Sequence, residues 1–215
     1  MALVLGTNCG FVLTAPLADP EATNFTADQF VVAGKFTAPS GDNIITEIGC
    51  YVDDATEAAN MEVGIYSHDA DANEPDVLLA SGSMVKGTTS GWKSATVNYN
   101  LTSGQIYWLA EVLDDTLTVT NLNYTATFGE LQHIYSKETP LDNPWTGSTE
   151  TNANLFAIYG LYVVVNDPNA ALPSDPGLEA DNVLMKIPGW QNIRDQLKRR
   201  GGGRGHESKR TFKVY

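Results

Sequence analysis

Apolar residues recur along the first 165 positions in short runs with a period of two. Each run is rich in Val, Ile, Tyr and Thr, and turn chemistry separates it from the next. That pattern predicts strands at Phe30–Thr37, Ile44–Val52, Met61–Tyr66, Val77–Val85, Ser94–Tyr99, Gln105–Leu113, Thr116–Asn121 and Leu155–Val165. The separators are APSGDN, DDATEAAN, HDADANEPD, KGTTSGW and LTSG, whose Gly, Pro, Asn and Asp residues favour turns. Within Met61–Tyr66, Met61, Val63 and Ile65 share one face, while Glu62, Gly64 and Tyr66 share the other. Within Gln105–Leu113 both faces are apolar, which predicts a central strand covered on both sides. No amphipathic helix is expected before residue 185.

Residues 122–154 are polar and turn-rich, with scattered aromatics at Tyr124, Phe128, Tyr135 and Trp145. They read as a long excursion with one or two short strands, of the kind that usually serves function or contact. Residues 166–182 hold three prolines and no apolar period, and read as an extended linker. Residues 183–215 read as a basic arm. Pro188 suits a helix start, and Trp190, Ile193 and Leu197 fall on one face of a short helix at about 189–200. Gly201 to Gly203 would end it, and TFKVY, with Phe212 and Tyr215, alternates like a strand. The fold class expected is all-β: an antiparallel β-sandwich or jelly-roll-like domain over 1–165 with an extended C-terminal arm carrying a short helix.

Charge divides the chain at the same place. Residues 1–185 hold only four basic side chains, Lys35, Lys86, Lys93 and Lys137, against 24 of the 26 acids, a net charge of −20. Residues 186–215 hold Lys186, Arg194, Lys198, Arg199, Arg200, Arg204, Lys209, Arg210 and Lys213 against Asp195 and Glu207, a net charge of +7. The body should repel nucleic acid and anionic membrane. The arm suits a polyanion, either an acidic protein surface, including a neighbouring copy, or nucleic acid. At 42% apolar residues, the 215-residue chain can bury a core. The N-terminus does not read as a Sec signal, and no apolar run is long enough for a membrane-spanning helix.

The candidate chemistry is sparse. Asp69, Asp71 and Asn73 have the D-x-D-x-N spacing of a calcium loop. The EF-hand form fails, because its sixth and twelfth positions are Glu74 and Ala80 rather than Gly and Glu. What remains is a β-loop Ca2+ site, weighed against an acidic solvated turn. Among the aromatics, Trp108 sits in an apolar run and reads as core. Trp145, in TPLDNPWTGST, reads as the best exposed platform for a glycan or a neighbouring subunit. No nucleophile elbow, H-E-x-x-H or C-x-x-C motif occurs, and no catalytic residue is assigned. Cys9 and Cys50 are expected to be reduced and buried rather than paired.

One stretch carries a family resemblance. The succession ITEIGCY, VGIY, LLASG, GW and LTSGQIYWLA resembles a β-sandwich module of phage structural proteins and bacterial surface proteins. The opening MALVLGTNCGFV resembles the start of phage tail-fibre or head-decoration proteins. The resemblance covers residues 1 to about 115. It implies a jelly-roll-like fold and a non-enzymatic place on a virion assembled in the host cytoplasm. Its partners would be copies of itself and other virion proteins. The arm residues Trp190, Ile193, Leu197, Lys198, Arg199, Arg200, Arg204, Lys209, Arg210, Phe212 and Tyr215 would then be the anchor. The alternative is a carbohydrate-binding module of a receptor-binding protein, with a cell-surface glycan as partner.

Overall fold

The computed structural model describes residues 1–126, 132–147 and 150–166. They form thirteen strands and no helix: β1 (Gly10–Val12), β2 (Thr23–Thr26), β3 (Phe30–Thr37), β4 (Asp42–Asp53), β5 (Asn60–Asp69), β6 (Glu74–Val85), β7 (Gly91–Leu101), β8 (Ile106–Leu113), β9 (Asn121–Ala126), β10 (Gln132–Ser136), β11 (Glu150–Asn152), β12 (Asn154–Phe156) and β13 (Ile158–Asn166). They build a β-sandwich of two sheets. The six-stranded sheet runs β11-β10-β3-β8-β5-β6, all antiparallel. The seven-stranded sheet runs β1-β13-β4-β9-β12, with β7 on β4 and β2 on β9. Its one parallel pair is β1 on β13. The first compact unit spans Met1–Pro168. The linker at 166–182 and the arm at 183–215, with all eleven anchor residues, lie outside the described residues, apart from Asn166 at the end of β13.

The period-two pattern becomes two packed faces. Val32, Val63, Ile65, Leu109 and Leu113 of the six-stranded sheet meet Ile45, Ile48, Leu122, Phe156 and Ile158 of the other to fill the interior. Strand β8 lies between β3 and β5, central as its two apolar faces predict. The LTSG signal turns the chain between β7 and β8. There Gly104 takes φ +72°, a left-handed conformation that only glycine adopts without strain.

Two expectations need correction. Thr116–Asn121 is not a strand: Leu117 and Val119 are exposed loop residues, and the strand begins at Asn121. The β-branched run has the propensity for a strand but no sheet face to bury. The excursion at 122–154 is richer than expected. It supplies β9 and β10, then residues 137–147, a strap that crosses the outer face of the six-stranded sheet, and then β11.

Candidate functional site

The strap settles what Trp145 does. The outer face of the six-stranded sheet carries Val31, Ala33, Tyr66, Trp108, Ala110, Val112 and Tyr135, too much apolar surface to leave in water. Leu141 and Trp145 cover it from the strap. Trp145 is 7% exposed, with its ring edge-on to Tyr135 at 4.7 Å and to Tyr66 at 5.3 Å. It is therefore a core residue of a second cluster and not an exposed platform. Its polar sequence neighbours suggest a solvated loop, but they serve as fastenings. The Tyr66 hydroxyl donates to the Asp142 carbonyl at 2.7 Å, and the Tyr135 hydroxyl donates to the Asp142 carboxylate at 3.0 Å. Lys137 pairs with Asp142 at 3.0 Å, and the Leu141 amide donates to buried Glu62 at 2.8 Å. Burial works to raise the Asp142 carboxyl, but hydrogen bonds from Lys137, Thr146 and Tyr135 outweigh it and hold its pKa below the usual carboxylate value.

Asp69, Asp71 and Asn73 do fall in one loop, the turn between β5 and β6. The turn uses the oxygens of Asp69 and Asn73 itself. Asp69 Oδ1 accepts from the Asp71 and Ala72 amides at 2.8 and 3.1 Å, an Asx turn that keeps its pKa low. Asn73 takes φ +57° and its Oδ1 accepts from Lys35 Nζ at 3.0 Å, while its carbonyl meets His133 Nε2 at 3.1 Å. Among the described residues, no three His, Cys, Asp or Glu side chains gather as a metal site would need. The turn instead folds back over buried Trp108. Trp108 donates from Nε1 to His68 Nδ1 at 3.2 Å and meets the His133 ring edge-on at 5.0 Å. Burial lowers the pKa of both histidines, and the Lys35 charge adds to the effect at His68.

The outer face of the seven-stranded sheet holds a smaller aromatic group. Half-buried Trp92 packs edge-on between Tyr51 and Tyr159, each at 5.4 Å, and donates to the Ala18 carbonyl at 3.0 Å. Tyr159 lies over Gly49, where an added Cβ would stand 2.5 Å from its ring, and its hydroxyl donates to Glu47. Cys9 and Cys50 are free and buried, as expected. Burial pushes the Cys9 thiol up to about 12 and raises Cys50 as well, so neither is a reactive thiolate near neutral pH.

A cleft lined by Ser67, His68, Leu79, Tyr99, Gln105 and Tyr107 opens where the ends of β5, β6, β7 and β8 meet. It combines tyrosine rings with amide, hydroxyl and imidazole groups, a lining that sequence spacing did not bring together. One further group was missed. Glu111 stands in the apolar run of β8 and points into the sandwich interior. The only sequence signal was an acid on a face otherwise made of Tyr107, Leu109 and Leu113. Among the described residues, no helix is long and apolar enough to cross a membrane. No protein-family model matches the chain, and no curated protein matches it either.

Proposed function

We propose that this chain is a non-enzymatic structural component of a phage virion, a jelly-roll-like capsid decoration or tail/fibre protein anchored through its basic C-terminal arm. The observation that carries the reading is the charge division. Residues 1–185, the acidic sandwich with its linker, carry a net charge of −20 and are followed by an arm of +7. Copies whose bodies repel are joined by arms that attract, each arm reaching an acidic neighbour. The sandwich supports this reading by covering both faces of its six-stranded sheet with its own segments, which makes a self-contained display module. The partners are copies of the same chain and other virion proteins, met after synthesis in the host cytoplasm. The arm docks through Trp190, Ile193 and Leu197, and its basic residues supply attraction.

The cleft at Tyr99 and Gln105 favours a second reading, a carbohydrate-binding module of a receptor-binding protein, with a cell-surface glycan stacked on tyrosine. Deleting residues 183–215 separates the two. An assembly protein loses incorporation into particles and self-association. A lectin keeps its glycan, bound equally well with and without the arm, and loses it on Tyr99→Ala. Incorporation that survives the deletion overturns the first reading.

A further inference from the structure

Glu111 is fully buried at the centre of β8, between Val32 of β3 and Val63 of β5. Its inner-face neighbours along the strand are Leu109 and Leu113. Neither carboxyl oxygen has a hydrogen-bond partner among the described residues. An ionised carboxylate in such surroundings is strongly disfavoured, because no cation or donor replaces the water it has lost. The charged and titratable groups around it do not help. Asp28, just before β3, is an acid with one buried oxygen also unpartnered, and its charge opposes a second negative charge at Glu111. From the opposite sheet Cys50 of β4 faces it, and that thiol is itself raised by burial and by Glu111. Lys86 is turned to Asp28 and donates to Thr120 at 2.6 Å, with Glu57 nearby, and Lys93 acts on Cys50 and Lys86. β5, β9 and β13 present Val63, Leu122 and Ile158 to the same interior, none of which titrates.

We infer that Glu111 is a proton-operated latch of the sandwich: neutral, it lets the two sheets close over it, and its ionisation forces them apart. Burial first, and Asp28 second, push its pKa up to about 8. The sign follows from proton binding. Above the ordinary glutamate pKa of about 4.3 the unfolded chain has released this proton while the folded one keeps it. Folding is then favoured less as pH rises, and the effect levels off above about 8. The histidines and cysteines of the unfolded chain also titrate across parts of this span, about 6.5 and about 8.5 being their midpoints, and they do so equally in a Glu111 variant. The difference between the natural chain and such a variant from pH 6.5 to 8 therefore reads Glu111.

The test is denaturant unfolding of the full chain at steps from pH 6.5 to 8, with Glu111→Gln and Glu111→Leu beside it. In parallel, hydrogen exchange of β4 and β8 amides is corrected for the intrinsic pH dependence. The latch predicts that the unfolding constant of the natural chain rises about tenfold across that interval and that amide protection falls in step. Neither variant should show that rise. If neither variant folds, a carboxyl titration of the natural chain by 13C NMR decides. A midpoint near 8 that falls on Asp28→Asn supports the latch, and a midpoint near 4 overturns it. An equal slope in the natural chain and in Glu111→Gln also overturns it.

Discussion

On β8, Trp108 and Leu109 are sequence neighbours with opposite surroundings. Leu109 points into the interior, where strands of both sheets enclose it. Trp108 points outward, where one sheet meets the β5–β6 turn, two histidines and the strap. Both are fully buried. The inner cluster is closed by the pairing of two sheets, and period-two alternation specifies it. The outer cluster is closed by connecting segments, and hydrogen bonds hold those segments down. Equal burial thus arises from two different kinds of cover, and the two should fail differently.

The largest expected effects test whether the outer cluster is a true core. Trp108→Ala should cost about 3–5 kcal/mol and Leu109→Ala about 2–5 kcal/mol, measured by denaturant unfolding. A loss under about 1 kcal/mol for Trp108→Ala would mean that the outer face is a surface contact. Trp145→Ala should cost less, about 2–3 kcal/mol, because the strap can lift locally and let water reach the face beneath. Hydrogen exchange should then show loss of protection at the Leu141 and Trp145 amides, with the interior strands β4 and β8 still protected. A uniform loss through both clusters would erase the distinction. Tyr135→Phe removes one fastening to Asp142 and should cost about 1 kcal/mol.

The smallest effect is a pH dependence of the outer cover. His133 is buried beside Trp108, and burial lowers its pKa. Its contribution to stability is therefore complete above the unfolded value of about 6.5 and is lost as pH falls through it toward the folded value. His133→Gln should weaken the loss of stability between pH 6.5 and 5. An unchanged acid limb would remove His133 from the account.

What could be read from the sequence follows the same division. Phe30–Thr37 was legible to the residue, and β4 to β8 were placed within a few residues of their bounds, because each buries one face against the interior. The two-sided burial of β8 was legible from its continuous apolar run. The outer cover was not. Trp145 lies in a polar segment whose Asp142 and Asn143 reveal their role only once Tyr66, Tyr135 and Leu78 stand opposite them. Asp69 and Asn73 have metal-loop spacing, but spacing alone cannot tell a ligand oxygen from one that caps its own turn or meets Lys35. The alternation across β8 makes Glu111 inward-facing, but its isolation depends on which groups the other strands bring near it.

The central claim is that the acidic sandwich is joined to its neighbours by the basic arm. It is tested most directly by sedimentation of the full chain and of a chain ending at Asp181, each at low and at high salt. Exposed ion pairs are screened beyond about 8–10 Å at moderate ionic strength. The account predicts an assembly of the full chain that dissociates as salt rises and is missing from the truncated chain. A monomer in all four conditions, or an assembly indifferent both to salt and to loss of the arm, would contradict it.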